Sequence, residues 1–189
     1  MSKSLAFWTL GVQFLNLARE GCGEIEKARN PFVVISRSPM STEQIDQATR
    51  WSDTSVGTPL LFNYFHGIEL ILKGFLAAKG CSVRTHKLSE LLTSVEKLYP
   101  CSKLGQLVKS VLENAEESPF KTFLSNNKLS IDSWFEALKY PETTQGVSVS
   151  HTDLKYGGKN AATFWSGIKT SCESLRRQAE ELSQSCGNA

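Results

Sequence analysis

The sequence is poor in the residues that interrupt structure. Its 6 prolines and 13 glycines, thinly spread over 189 positions, exclude collagen-like and low-complexity classes. It also lacks an excess of either charge. The 21 Lys and Arg stand against 19 Asp and Glu, a formal net charge of +2, so overall charge names no partner and a nucleic-acid reading needs a local basic patch. Paired cysteines are missing: Cys22, Cys81, Cys101, Cys172 and Cys186 are odd in number, scattered and without a CxxC pair. That usage predicts reduced thiols and a cytoplasmic setting rather than a disulfide framework. No long apolar run is free of polar residues, because the most apolar stretch, 60–78, carries Asn63, His66, Glu69 and Lys73, and no membrane span is expected. Lys3 and the apolar run after it have the outline of a signal peptide. Gln13 and Asn16 interrupt that run, however, and Leu5, Trp8, Val12 and Leu15 recur at helical spacing, which predicts an amphipathic first helix.

What is present is enough to fold. Hydrophobic residues make up 40% of the chain and aromatic residues 10%, apolar surface sufficient to offset ordering entropy in one domain spanning 1–189. The periodicity predicts an all-α, up-and-down bundle of about six helices. The first covers about 5–20, extending toward Ala28, with Gly21 and Gly23 as candidate breaks. Residues 31–38 include Phe32-Val-Val-Ile35, a β-branched run with no second run of its kind to pair with, so no sheet is expected. Ser41 and Gln44 read as a capping box for a short helix to about Trp51. Thr58-Pro59 reads as N-cap and first helical residue of a long core helix to Lys79, with Gly80 as its left-handed stop. Thr85 is expected to cap a helix stopped by Pro100, and Ser102 to cap the next. Ser118-Pro119 opens a short helix, and Ser130 another through Trp134 to Tyr140-Pro141. Periodicity then vanishes over about 142–160, a polar loop long enough to suggest either function or disorder. A closing helix over about 161–184 repeats Ala161, Trp165, Ile168, Cys172, Leu175, Ala179 and Leu182. That narrow seam can pack within the bundle or form a homodimer, and intramolecular packing is the expectation.

Catalytic signatures are scarce. Gly21-Cys-Gly23 lacks the third glycine of a dinucleotide site, Gly157-Gly158-Lys159 lacks the upstream glycine of a phosphate loop, and no GxSxG occurs. The three histidines and five cysteines show no metal-ligand spacing, so neither a metal nor a cofactor is expected. What stands out is a polar line on the apolar core helix. His66, Glu69 and Lys73 are spaced by three and four residues, which places them on one face. They form either a polar site in a groove, with Lys73 offering a cation to an anionic ligand, or a routine helix pair beside a core histidine. Arg84, His86 and Lys87 put three candidate cations at a helix N-terminus, where backbone donors already favour anions such as phosphate. His151, Lys155, Tyr156 and Lys159 in the late loop mix basic and aromatic residues, a composition suited to phosphate contact and base stacking as well as to an ordinary polar loop.

The stretch Gly67-Ile-Glu-Leu-Ile-Leu-Lys-Gly-Phe-Leu-Ala-Ala-Lys-Gly80, followed by Thr85-His-Lys-Leu-Ser-Glu-Leu-Leu92, resembles the HEPN family (higher eukaryotes and prokaryotes nucleotide-binding domains). In that family a core helix carries Glu-x-x-x-Lys, then a glycine, then Thr-His-x-Leu opening the next helix. Glu69, Lys73, Gly80, Thr85, His86 and Leu88 occupy those positions. Trp134-Phe-Glu-Ala-Leu-Lys-Tyr-Pro141 is similar to an Arg-Tyr-Pro element of the family, with Lys139 in place of arginine. The resemblance covers roughly three quarters of the chain. It implies a helical bundle and, for many members, a dimeric metal-independent ribonuclease of toxin, defence or RNA-processing systems. Those enzymes use an arginine followed four to six residues later by a histidine, and none precedes His66, His86 or His151 at that distance. Other members resemble binding modules for nucleotides, RNA or a nucleotidyltransferase-like protein partner.

The leading expectation is therefore a non-catalytic interaction module with a site at Glu69, Lys73, Arg84, His86 and Lys87. The alternatives are a diverged ribonuclease, with His86 or His66 as general base and Arg84 or Lys73 stabilising the phosphorane, and a structural dimer with no ligand.

Overall fold

The computed structural model describes residues 2–113, 118–157 and 160–187. Eight α-helices build the fold and no strand occurs among these residues. The all-α bundle is present, with more helices than periodicity alone indicated.

Helix α1 (Lys3–Ala28) starts where the Ser2 hydroxyl accepts from the Leu5 N–H. It passes through Gly21 and Gly23 without a break. A β-carbon on Gly21 would lie 2.3 Å from Leu60 Cδ2, so this glycine serves a close contact and not a turn. The chain leaves α1 through Arg29 and Asn30, both left-handed, and runs without regular secondary structure over 31–36. Helix α2 (Thr42–Thr49) has the expected capping box of Ser41 and Gln44 and ends short of Trp51.

Helix α3 (Thr58–Ala78) is the core helix, but Thr58 is not its cap. The chain is already coiled over Asp53–Gly57 as a π-helical turn, opened by the Ser52 hydroxyl accepting from the Ser55 N–H. Thr58 consequently has φ −60° and ψ −48° instead of the extended backbone an N-cap needs, and its hydroxyl is buried without a partner. Gly80, at φ +74°, ends the helix as expected.

Helix α1 lies antiparallel on α3, with Trp8 against Gly74, Leu15 against Gly67 and Gly21 against Leu60. Gly67 lets the backbones touch: a β-carbon there would sit 3.1 Å from the Gly11 carbonyl oxygen and 2.8 Å from Leu15. Helix α8 (Ala161–Gly187) packs on α1, and the pairing of Lys169 near its start with Glu26 near the end of α1 sets it antiparallel. Its seam is buried inside the chain from Ala161 to Ala179, with Leu182 partly buried, as the intramolecular reading required. The stretch Asp53–Ala78 is long and apolar enough to cross a membrane by length and composition, yet 72% of its most apolar window is buried in this packing.

Shorter helices complete the bundle: α4 (Leu88–Leu98) and α7 (Trp134–Lys139) pack on α3, α5 (Lys103–Glu113) packs on α4 and α8, and α6 (Pro119–Asn126) reaches α3 through Phe120 against Phe65. Ser102 and Ser118 cap α5 and α6 through the Gly105 and Lys121 N–H groups, each at 3.1 Å. Ser130 makes no cap bond, because the turn Ile131–Ser133 intervenes before α7.

The late loop is tied down over its described part. His151 Nε2 lies 2.7 Å from the Ala137 carbonyl, and the Asn127 side chain brackets the Ser150 backbone. The Gly157 N–H donates to Asp53 Oδ2 at 2.9 Å. Buried Asp53 also accepts from Asn30 Nδ2 at 2.8 Å, while its own N–H donates to Asn30 Oδ1 at 2.7 Å. One carboxylate therefore joins the end of α1, the entry to α3 and the loop before α8.

Candidate functional site

Glu69 sits in the middle of α3, 1% exposed, where helical spacing delivers two partners from the same face. Lys73 Nζ donates to its Oε1 at 2.6 Å, and His66 Nδ1 lies 3.2 Å from Oε2. A third partner comes from the α3–α4 connection, His86 Nδ1 at 2.9 Å from Oε1. A carboxylate only accepts, so both histidines present Nδ1–H to it when neutral and leave Nε2 bare. Burial pushes the Glu69 carboxyl up. Hydrogen bonds from His66 and Lys73 and the charges of Lys73 and His86 outweigh burial and hold it below its ordinary value.

The surroundings differ around the three donors. His66 packs edge-on to Phe14 of α1 and stacked on Phe62. The Lys73 side chain is 11% exposed and borders a cavity of about 20 Å3 with Phe7, Leu76 and Val83, room for about one water. Lys73 is thus an internal counterion rather than a cation offered to a ligand. The His86 side chain is 48% exposed. Its ring stacks on Phe135 of α7, centroids 4.2 Å apart, and its carbonyl accepts from Trp134 Nε1 at 2.9 Å. Lys139 Nζ lies 4.7 Å over the same Phe135 ring and 5.2 Å over Tyr140. Lys139 and Tyr140 are both exposed.

The N-terminus of α4 differs from the expectation. Thr85 is not its cap: Lys87 holds that position without a side-chain bond, and Thr85 Oγ1 accepts the Lys87 N–H at 3.1 Å in the preceding turn. The exposed donors are met by Asp132, whose carboxylate accepts from the Ser89 N–H at 3.0 Å and from the Ser89 hydroxyl. The place where an anion would sit already holds one. Lys87 pairs with Glu90 at 2.9 Å, while exposed Arg84 makes no hydrogen bond or ion pair among the described residues.

The structure therefore brings Glu69, Lys73, His66 and His86 into one cluster and leaves Arg84 on the surface two residues away in sequence. It separates them from the late-loop candidates. His151 is a structural latch stacked on Phe123. Tyr156 is exposed with its N–H on Thr54 Oγ1 at 3.3 Å, Lys155 is half-buried, and Lys159 lies outside the described residues. The Asp53 tie that holds this loop lies 16 residues before Glu69, roughly 24 Å at the helical rise of about 1.5 Å per residue. An open groove of about 880 Å3 between α3, α5, α6 and α8, lined by Phe65, Val111, Phe120, Phe164 and Ile168, contains none of the candidate residues. Among the described residues no group of three or more His, Cys, Asp or Glu could hold a metal ion.

Sequence reasoning missed Phe135, which pins His86, and Asp132, which caps α4. Both lie more than 40 residues from their partners and follow no helical period. Compared with known protein families, curated proteins and solved structures, the chain matches none.

Proposed function

We propose that the chain is a HEPN-like binding module that takes single-stranded RNA or a nucleotide on the face carrying Arg84, His86, Phe135, Lys139 and Tyr140. The observation that carries the reading is the stack of His86 on Phe135 beside Lys139. Through it, the two sequence elements behind the HEPN resemblance, Thr85-His86 and Lys139-Tyr140-Pro141, meet on one surface although more than 50 residues separate them. Exposed Tyr140 offers a ring to a base, and Lys139 and Arg84 offer cations to phosphates, the combination that single strands require. Glu69 and Lys73 act beneath this face by fixing His86.

A ribonuclease is the second reading, favoured by one feature. Glu69 holds Nδ1 of His86, so the bare Nε2 points away from its carboxylate, as a general base needs.

The test is binding of a labelled single-stranded RNA across a salt series, with gel analysis of the same samples. Arg84→Ala with Lys139→Ala should weaken binding and lower the salt slope by about 2, and Tyr140→Ala should weaken it with the slope unchanged. Intact RNA supports the module; cleavage lost in His86→Ala supports the nuclease. No RNA or nucleotide binding by the wild type refutes both and directs the search to a protein partner.

A further inference from the structure

We propose that residues 29–37 form a peripheral docking tip for an anionic lipid bilayer, which the tip meets at the headgroup layer without spanning it. Its apolar side chains are presented and not packed. Val33 and Ile35, 63% and 95% exposed, are the two most exposed large hydrophobic side chains among the described residues, and Phe32 beside them is exposed as well. Folding leaves this contiguous group in water, an arrangement that marks a contact surface. The root of the tip is fixed. Asn30 holds Asp53 through two hydrogen bonds, and the Phe32 ring lies on Gly157, where a β-carbon would come within 2.6 Å of Phe32 Cε1. Tyr156, next to that contact, adds an exposed ring of the amphipathic kind that settles at membrane interfaces.

Charge names the occupant. Between Glu26 and Glu43 the chain carries Lys27, Arg29 and Arg37 and no acid. Lys27 is paired with Glu24, whereas the exposed guanidinium groups of Arg29 and Arg37 take no hydrogen bond or ion pair among the described residues. Two cations thus bracket the apolar tip, the pattern that engages anionic headgroups and the acyl boundary beneath them together. Glu43 and Asp46 of α2 temper the attraction, but neither lines the hollow that Val34 forms with Met40 and Ile45. A nucleic acid is the poorer fit, because Val33 and Ile35 offer no π-face to a base. The backbone also suits a bilayer surface. Neither the N–H nor the C=O of Phe32, Val33, Val34 or Ile35 takes a hydrogen bond among the described residues. The hydrated headgroup layer can serve those groups and the hydrocarbon core cannot, so insertion stops at side-chain depth.

The test is co-sedimentation of the full chain with two kinds of vesicle across a salt series: phosphatidylcholine alone, and phosphatidylcholine with phosphatidylserine in a three-to-one mixture. The wild type should bind the anionic vesicles at least tenfold more tightly than the neutral ones, and less tightly as salt rises. Arg29→Gln with Arg37→Gln should weaken anionic binding about thirtyfold, at about fivefold per cation. Val33→Ser with Ile35→Ser, at side chains that touch little, should weaken it at least tenfold while keeping the helical circular dichroism of the wild type. A wild type that binds neither kind of vesicle overturns the proposal and leaves the tip to a protein partner. Equal binding to both kinds overturns it by removing the arginines from the contact, and anionic binding that survives the serine pair overturns it by placing the contact elsewhere. Displacement by inorganic phosphate, at an ionic strength where sodium chloride has no effect, overturns it in favour of a site for the free anion.

Discussion

Replacing Glu69 by glutamine keeps the shape of the side chain and removes its charge. Lys73 is then a cation 11% exposed with its counterion gone, and Nδ1 of both His66 and His86 loses a charged acceptor. Breaking a buried pair from one side typically costs about 3–5 kcal/mol. The neutral amide oxygen still accepts one bond, which favours the lower end, about 3 kcal/mol. At this chain length that corresponds to a fall in Tm of about 6–12 °C. Urea unfolding followed by tryptophan fluorescence and circular dichroism measures the change. The second variant decides the mechanism: Lys73→Met in the Glu69→Gln background removes the stranded cation, and it should recover about 1 kcal/mol or more. A Glu69→Gln loss under about 1 kcal/mol, or a double variant no more stable than the single one, would refute the assignment of Glu69 and Lys73 as a buried, mutually dependent pair.

Because the Glu69 carboxyl is held below its ordinary value of 4.5 in the folded chain, its stabilising contribution is complete above that value and is lost as pH falls through the lower, folded one. Unfolding titrations from pH 7 down to pH 3 should show an acid loss in the wild type that is smaller in Glu69→Gln. Gly67→Ala should cost about 1–3 kcal/mol by forcing α1 off α3, whereas Gly23→Ala, with nothing within 4 Å of its added carbon, should raise stability by about 0.5–1 kcal/mol; thermal melts compare the two. Asp132→Ala should cost about 1–2 kcal/mol and speed hydrogen exchange at the Ser89 amide. Burial pushes the Cys22 thiol up to about 12 and the Cys172 thiol upward as well. Thiol labelling of the native chain should therefore modify exposed Cys81 and Cys101 and spare that pair until unfolding.

Wherever a short local rule decides the outcome, the sequence was legible. The period of α3, the capping box of α2, the hydroxyl caps of α5 and α6, the Gly80 stop and the seam of α8 depend on residues a few positions apart. The polar line from His66 to Lys73 was legible for the same reason. The misreadings share a different cause. Thr58 and Thr85 carry the right hydroxyl for a cap, but the backbone before each is set by partners far away: the Asn30–Asp53 tie behind one, the Asp132 carboxylate over α4 behind the other. The late loop looked unanchored because its partners, Ala137, Asn127 and Asp53, are backbone and side-chain groups with no periodic signature. Lys73 was legible as a charge and illegible as a buried one, since exposure is a property of the packed bundle.

The placement of α8 bears on how the chain is made. Helices α1 and α3 meet across fewer than 40 connecting residues and can pair early during synthesis. The stripe of α1 around Cys22 that α8 covers stays open until 161–187 have emerged, and the carboxylate of Asp53 waits for Gly157. A nascent chain stalled between those points exposes a long apolar furrow with the core helix already in place, a natural landing site for chaperones and a point at which premature release would lead to aggregation.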